Sequence, residues 1–323
     1  MKYQKQYFED DLTLTADMLN HIEDGVEALS ANSASLDDLY VSFIGDSISS
    51  LTGYIPNGNS PYYTGSKAGV SSVSEMWWYK FCEETNSKPL IVEGWSGRLV
   101  TSGIRPGIRE ASHIDCCQNL HSYARGTSSN YDLVVTADNI ASLRKSPFFD
   151  MADYAVGDYL KRVNPNVIVI AMGVNDYSYN APLGDWDGAE QLVLTDTSNF
   201  RSAYANMLVR IHEAYPNAII YCLSPFFVQR ITTDKWDVNR NTLGHTFLDY
   251  ECAIKEVSDL LQAEFIDINN IGFNRYNYYP TFCVDSSSTP THPNALGQKV
   301  IGVSLAKKIK ATGYTEWLMG NIN

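Results

Sequence analysis

Residues 40–47 read Tyr-Val-Ser-Phe-Ile-Gly-Asp-Ser, an apolar run that stops abruptly at a glycine followed by two polar residues. A short apolar run closed by glycine is typical of a buried strand that ends in a tight turn. Open α/β sheets bind their ligands at the carboxyl edge of the strands, where such a turn would lie. The stretch therefore predicts that the Ser47 hydroxyl is presented at the carboxyl edge of a sheet.

Five apolar runs recur along the chain, and helical patterns lie between them. The runs do not alternate apolar and polar residues, which is expected of strands in a parallel sheet that is covered on both faces. Strands separated by helices indicate right-handed crossovers. The sequence therefore predicts an α/β fold with three layers, α/β/α, around a five-stranded parallel sheet. The predicted strands are 39–45, 89–94, 166–173, 217–223 and 264–268, and the predicted helices are about 71–85, 150–163, 197–214, 246–262 and 294–311.

The composition is that of a globular protein with ample material for a core. The chain has 323 residues, of which 44% are hydrophobic and 19% are charged. Its net charge of −13 argues against nucleic acid or an anionic membrane surface as the main partner, since both attract basic patches. No run approaches the roughly 18 apolar residues of a transmembrane helix, so we expect no membrane insertion.

The first residues and the cysteines indicate the compartment and the cofactors. The chain starts with polar and acidic residues and no apolar segment follows, so the sequence predicts no signal peptide and synthesis in the cytoplasm. The six cysteines form no CxxC pair and no Cys/His spacing of a zinc site. We therefore expect no metal and no cofactor.

Three other motifs fall where the predicted sheet brings them close to Ser47. Ser96-Gly97 follows the second strand, residues 173–176 (Gly-Val-Asn-Asp) follow the third, and His292 precedes the last helix. The carboxyl ends of parallel strands lie at one edge of a sheet. The sequence therefore predicts that these motifs share one site with Ser47.

The side chains of this site meet the needs of acyl transfer, which are a nucleophile, a general base, oxyanion donors and a group that orients the base. Ser47 can be the nucleophile, and His292 can accept its proton at neutral pH. The Gly97 N–H, the Asn175 side-chain amide and the Ser47 N–H can donate hydrogen bonds to the oxyanion.

These motifs, in this order, resemble the four blocks of the SGNH hydrolases, also called the GDSL esterase/lipase family. Gly45-Asp46-Ser47 is similar to the first block, Ser96-Gly97 to the second, residues 173–176 to the third and His292-Pro293-Asn294 to the last. The resemblance implies a hydrolase domain at residues 36–323 with a flavodoxin-like sheet of order 2-1-3-4-5. It also implies a serine nucleophile, a histidine base, and an oxyanion hole built by the glycine and the asparagine.

One position departs from the family pattern. The family usually places an aspartate three residues before the histidine, where this chain has Thr289. Asp285, seven residues before His292, is the nearest upstream acid. Either an insertion in this loop lets Asp285 orient His292, or a Ser–His dyad relies on a backbone carbonyl. Pro290 restricts how far the loop can fold back, which favours the dyad.

Several aromatic residues follow the motifs, and those predicted to bind substrate are Trp95, Tyr177, Tyr179 and Phe226. Flat aromatic faces suit sugar rings and also apolar acyl chains. The sequence predicts a serine esterase that removes a short acyl group, such as acetyl, from a carbohydrate through an acyl-enzyme. The alternatives are a lipase, lysophospholipase or thioesterase at the same site, or a non-catalytic polysaccharide-binding module. The predicted partner is an acylated small molecule or a polysaccharide.

Residues 1–35 are predicted to form a separate helical unit. Leu12, Leu19 and Val26 are seven residues apart, which indicates a short heptad seam. Residues 14–26 are similar to a segment near the start of phage tail and baseplate proteins. This resemblance implies a homotrimer anchored through the segment and a place in a phage or prophage particle. An amphipathic helix that lies on the main domain is the alternative.

Overall fold

The computed structural model describes most of the predicted hydrolase domain but not the N-terminal unit. The described residues are 39–56, 58–64, 69–108, 110–118, 120, 164–185, 196–226, 239–274, 276–285 and 290–312. Residues 1–35 and the predicted helix at 150–163 lie outside these ranges. The heptad seam, the homotrimer, the phage particle and the domain boundary therefore stay predictions.

Five parallel strands form the sheet, and they match the predicted strands closely. They are β1 (Tyr40–Gly45), β2 (Lys88–Gly94), β3 (Val167–Ala171), β4 (Ile219–Leu223) and β5 (Glu264–Ile266). Their order in space is β2-β1-β3-β4-β5, which confirms the predicted order. The register pairs Gly45 at the end of β1 with Gly94 of β2 and Ala171 of β3. The residues that follow these three strands therefore start side by side.

Helices lie between the strands and after β5, and several of them begin at side-chain caps. They are α1 (Trp77–Thr85), α2 (Ile114–Gln118), α3 (Val174–Ser178), α4 (Phe200–Ala214), α5 (Phe247–Leu260) and α6 (Ala295–Ala311). The Asn199 side chain caps α4, and the Asn294 side chain caps α6 by accepting from the Gly297 N–H. The α1 helix begins later than predicted because Val73–Glu75 forms a separate 3-10 turn. In the described ranges, no helix combines the length and the apolarity needed to cross a bilayer.

The helices cover both faces of the sheet, which confirms the three predicted layers. In β1, Ile44 belongs to a core with α4 and α5, whereas Phe43 belongs to a second core with α1 and α6. The Phe43 ring packs edge-on against the Trp77 ring, with 5.4 Å between centroids. Burial of each large apolar side chain contributes about 1.5–3 kcal/mol to stability, so the two cores together hold the strand ends in place.

Candidate active site

The Ser47 turn, residues 45–50, follows β1 and presents the predicted nucleophile. Gly45 is required because a Cβ there would collide with a serine side chain of the same turn. The Asp46 carboxylate accepts a hydrogen bond from the Ile48 N–H at 2.9 Å and so caps the short 3-10 helix that begins at Ser47. Ser47 is 5% exposed. Its hydroxyl is therefore held in a nearly dry position at the carboxyl edge of the sheet.

A line of hydrogen bonds joins Ser47 to His292 and Asp285. The Ser47 Oγ lies 2.9 Å from His292 Nε2, and His292 Nδ1 lies 2.9 Å from Asp285 Oδ2. Because a carboxylate can only accept, Nδ1 carries the ring proton and Nε2 accepts from the Ser47 hydroxyl. The three side chains have the spacing and order of a serine–histidine–aspartate relay.

The structure places the Asp285 carboxylate at Nδ1, so the preference for a backbone carbonyl there is wrong. The loop folds back despite Pro290 because its two ends run antiparallel, with the Val284 N–H donating to the His292 carbonyl at 2.9 Å. The N–H groups of Thr291 and His292 also donate to Asp285 Oδ2, at 2.8 and 2.6 Å. Tertiary hydrogen bonds thus bring an acid seven residues upstream to the ring.

The surroundings of Asp285 keep its carboxylate ionised. Burial raises the pKa of this carboxyl, but the hydrogen bonds from the His292 ring and N–H, the His292 charge and the Tyr62 hydroxyl together outweigh burial. The resulting pKa is about 2, against an ordinary value of 3.8. At neutral pH the carboxylate is therefore charged, as it must be to orient an imidazole and to stabilise an imidazolium.

Gly97 and Asn175 follow β2 and β3, and these strands flank β1. Gly97 has φ +78°, a conformation that favours glycine, and a Cβ there would collide with the Arg105 guanidinium. Asn175 lies in the first turn of α3, where its amide nitrogen is 3.4 Å from Asp46 Oδ2. The segments that carry these two predicted donors therefore start on either side of the Ser47 turn, and their part in an oxyanion hole stays a prediction.

Asp176 ties these two donor segments together, a role that the sequence analysis missed. Its buried carboxylate accepts from the N–H groups of Val100 and Thr101 at 3.0 Å each. The Thr101 hydroxyl donates to the same carboxylate at 2.8 Å. These bonds join the segment after Gly97 to the start of α3. The only indication of this role in the sequence was that Asp176 directly follows Asn175.

A buried ion pair and a buried amide also stabilise the site, and neither was predicted. Arg98 and Glu93 form an ion pair at 2.8 Å with side chains that are 0% and 1% exposed, which fixes the turn after β2. Gln298 of α6 accepts from the Trp77 N–H at 2.8 Å and donates to the Ile48 carbonyl at 3.0 Å. This single amide therefore connects the Ser47 turn with α1 and α6.

Two of the predicted substrate-binding aromatics are accessible. Trp95 is half-buried and stands directly after β2. Tyr179 is 42% exposed, one helical turn after Asn175, and the Arg105 guanidinium lies 4.5 Å from its ring centroid. Arg105 also donates to the Gly97 carbonyl at 3.2 Å. Both aromatics therefore lie next to the segments that carry Gly97 and Asn175, the predicted oxyanion donors.

The other two predicted aromatics are buried. Tyr177 is 5% exposed and packs edge-on against Phe247 and Tyr250, which argues against the predicted contact with substrate. A helix turns about 100° per residue, which directs a residue two positions after Asn175 to the opposite side. Phe226 is buried and lines a small apolar cavity beside Asp46, and its role in binding stays a prediction.

Asp46 is expected to make stability depend on pH. Burial raises its pKa to about 6, although the Ile48 N–H and the His292 charge act in the opposite direction. Between about pH 4 and pH 6 the unfolded chain releases this proton while the folded protein keeps it, so the free energy of unfolding falls as pH rises. We expect Asp46→Asn to remove up to about 3 kcal/mol of that fall in urea unfolding across this range. An unchanged slope would contradict the raised pKa, and Asp259→Asn, on the exposed face of α5, is the control.

Sequence comparisons identify the family. A model of the GDSL-like lipase/acylhydrolase family matches residues 91–300, and a second model of GDSL-like lipases/acylhydrolases matches residues 39–120. Together the two matches include Ser47 and His292 as well as the residues after β2 and β3. No curated protein sequence matches the chain.

Solved structures share the fold. A protein described as a GDSL-like lipase from Bacteroides ovatus aligns with a TM-score of 0.50 and 21% identity, over 85% of this chain and 97% of the other. A similar protein from Bacteroides uniformis aligns with a TM-score of 0.51 and 18% identity, over 85% of this chain and 96% of the other. The family model covers more than half of the sequence. The chain therefore belongs to the GDSL-like lipase/acylhydrolase family and is a carboxylic ester hydrolase.

Proposed function

We propose that the protein is a serine esterase that hydrolyses a short acyl ester, such as an acetyl ester on a carbohydrate, through an acyl-enzyme. The observation that carries the proposal is the unbroken hydrogen-bond line from Ser47 through His292 to Asp285, with 2.9 Å at each step. The Ser47 turn follows β1, which lies between the strands that precede Gly97 and Asn175, the candidate oxyanion donors. Together these groups supply the parts that acyl transfer requires.

In the acylation step, Ser47 Oγ attacks the ester carbonyl carbon while His292 Nε2 accepts the hydroxyl proton. The carbonyl oxygen becomes an oxyanion and accepts hydrogen bonds from the Gly97 N–H and the Asn175 amide, as well as from the Ser47 N–H. His292 then donates its proton to the alcohol oxygen as the carbon–oxygen bond breaks. The alcohol leaves neutral, and the acyl group stays on Ser47.

Deacylation uses the same groups with water as the nucleophile. His292 accepts a proton from the water as the water oxygen attacks the acyl carbon, and it returns this proton to Ser47 Oγ when the acid leaves. Asp285 keeps the imidazole in the tautomer with the proton on Nδ1 throughout, and it stabilises each imidazolium.

The accessible side chains support a small acyl group on a carbohydrate. Trp95 and Tyr179 present aromatic faces beside the donor segments, and such faces pack against the apolar faces of sugar rings. Ser47 is only 5% exposed, and this low exposure favours a small acyl group. The second candidate is a lipase or thioesterase at the same site; the small apolar cavity lined by Phe226 and Met172 offers little room for a longer acyl chain, so we rank this candidate lower.

Two substrate series test the proposal and separate it from the second candidate. Nitrophenyl esters from acetyl to dodecanoyl vary the acyl part, and acetylated sugars vary the alcohol part. We expect the highest kcat/KM for acetyl, with release of acetate from the acetylated sugars. A maximum at dodecanoyl would favour the lipase. If the folded protein binds polysaccharide but hydrolyses none of these esters, it is a binding module and not an esterase.

Asn175→Ala is expected to lower kcat by about 10²–10³-fold with little change in KM. The amide donates to charge that develops only in the transition state, so its loss leaves binding of the neutral ester nearly unchanged. Steady-state rates with an acetyl ester measure both constants. The matched control is Asn206→Ala in the middle of α4, which is expected to keep the parent kcat. A kcat of Asn175→Ala within a factor of about two of the parent would exclude this amide from the oxyanion hole.

A further inference from the structure

We propose that Tyr62 is a positioning residue that clamps His292 and Asp285 onto the Ser47 turn, an inference that rests on the proposed function. Tyr62 lies between β1 and α1, outside the four motif blocks, and is separated from Asp285 by 223 positions in the sequence. Three sets of contacts carry the proposal: a stacked ring, a hydroxyl hydrogen bond and an anchored backbone.

The Tyr62 ring covers one face of the His292 imidazole. The ring centroids are 3.5 Å apart and the ring planes differ by 8°, which is close parallel stacking. With one face covered, the imidazole cannot turn about its Cβ–Cγ bond without displacing the tyrosine. The stacked ring therefore keeps Nε2 directed at Ser47 and Nδ1 directed at Asp285.

The Tyr62 hydroxyl holds the acid. Three N–H groups of Thr291 and His292 donate to Asp285 Oδ2, whereas the Tyr62 hydroxyl donates to Oδ1 at 2.8 Å. Burial, together with the hydrogen bond to Asp285, raises the pKa of Tyr62 far above its ordinary value of 10.0, so the phenol keeps the proton that it donates. Because both carboxylate oxygens are engaged, the carboxylate cannot rotate away from the ring.

The Tyr62 backbone is anchored to the turn that carries the nucleophile. Its N–H donates to Ser50 Oγ at 2.9 Å and to the Ser50 carbonyl at 3.2 Å. The Ser50 hydroxyl in turn donates to the Ser47 carbonyl at 3.1 Å. Hydrogen bonds therefore form a closed ring from Ser47 through Ser50, Tyr62, Asp285 and His292 back to Ser47. This ring joins a base and a nucleophile that are 245 positions apart in the sequence.

The next residue holds the chain on the other side of His292. Tyr63 is fully buried, and its hydroxyl donates to the Pro293 carbonyl at 2.8 Å. The rings of Tyr62 and Tyr63 pack edge-on with 5.0 Å between centroids. Catalytic groups must stay within about 0.5 Å of their productive geometry. Two consecutive tyrosines therefore provide the rigidity that this general base requires.

Two variants of Tyr62 separate the ring from the hydroxyl. We expect Tyr62→Phe to lower kcat for an acetyl ester by about 10-fold with KM unchanged, since it loses one hydrogen bond to a carboxylate but keeps the stacking. Tyr62→Leu loses both contacts, and we expect kcat to fall by about 100-fold. The Nδ1 proton of His292 gives a signal in the low-field region of the proton NMR spectrum. We expect this signal to shift in Tyr62→Phe and to broaden in Tyr62→Leu.

The matched control is Tyr215→Phe, a buried tyrosine whose hydroxyl donates to the Gln118 carbonyl and accepts from the Leu120 N–H, away from the site. This control is expected to lower Tm and to leave kcat and the Nδ1 proton unchanged. The proposal is overturned if Tyr62→Phe and Tyr62→Leu keep the parent kcat, or if they lose activity only in step with Tm as an unfolding variant does. If the parent protein instead hydrolyses no ester while the Nδ1 signal still changes in the Tyr62 variants, that result would overturn the proposed function and leave the clamp intact.

Discussion

Ser47→Ala is expected to lower kcat for an acetyl ester by about 10⁴–10⁶-fold while KM and the fold stay unchanged. The change removes the oxygen that attacks the ester, and none of the remaining groups of the relay can form the acyl-enzyme. The residual rate reflects the oxyanion donors and substrate binding, which do not depend on the hydroxyl. Initial rates at saturating substrate, together with thermal unfolding, measure this effect.

The control for Ser47→Ala is Ser74→Ala, in the exposed 3-10 turn before α1, which is expected to keep the parent rate. Equal kcat values for Ser47→Ala and the parent would show that another residue is the nucleophile. Such a result would leave the fold and the family unaffected but would remove the proposed mechanism.

Asp285→Asn is expected to lower kcat by about 10⁴-fold. The N–H groups of Thr291 and His292 and the ring Nδ1 all contact Asp285 Oδ2, so an asparagine must place either its oxygen or its NH₂ at that one position. An oxygen there lacks the negative charge that stabilises the imidazolium, and an NH₂ there favours a proton on Nε2, a tautomer that cannot accept the proton of Ser47. Asp285→Ala is expected to show a similar loss, with some loss of stability because the two N–H groups lose their acceptor.

Steady-state kinetics and thermal unfolding of both Asp285 variants separate a triad from a dyad. The exposed Asp259→Asn serves as the control for the removal of a carboxylate. A loss of less than about tenfold in Asp285→Asn, with the fold intact, would mean that the enzyme works as a Ser–His dyad and that the observed carboxylate contact is not needed.

The sheet could be predicted from the sequence because its strands are continuous apolar runs, without alternating polar residues. Each observed strand lies within about two residues of the predicted one, and the spatial order follows the family resemblance. The predicted start of the last helix held because Asn294 is a side-chain cap. The predicted start of α1 was too early. A separate 3-10 turn precedes this helix, and its residues continue the same pattern of polar and apolar residues, so the sequence did not separate the two.

The convergence of Ser47, Gly97 and Asn175 could also be predicted, since the ends of neighbouring parallel strands share one edge. The orienting acid could not be predicted in the same way. Its position depends on a loop that closes through hydrogen bonds to Tyr62 and to its own backbone, and a local pattern contains neither. Thr289, where the family usually has an aspartate, lies outside the described residues.

The contacts that the sequence analysis missed are long-range ones. Tyr62 and Gln298 lie far along the chain from their partners, so no spacing rule identifies them. Tyr177 was assigned to the cleft because it follows Asn175 closely, but the periodicity of a helix places it in the core. Closeness in sequence to Asn175 therefore did not identify the side chains that face the cleft. The direction of each side chain around the axis of α3 predicts this better.

The most direct test of the serine mechanism is peptide mapping after treatment with a fluorophosphonate, which traps an activated serine as a phosphonyl ester. We expect one phosphonyl group per chain, on the peptide that contains Ser47, with no labelling of Ser47→Ala and much slower labelling of His292→Ala. Labelling of a different residue, or equal labelling of Ser47→Ala and the parent, would contradict this mechanism.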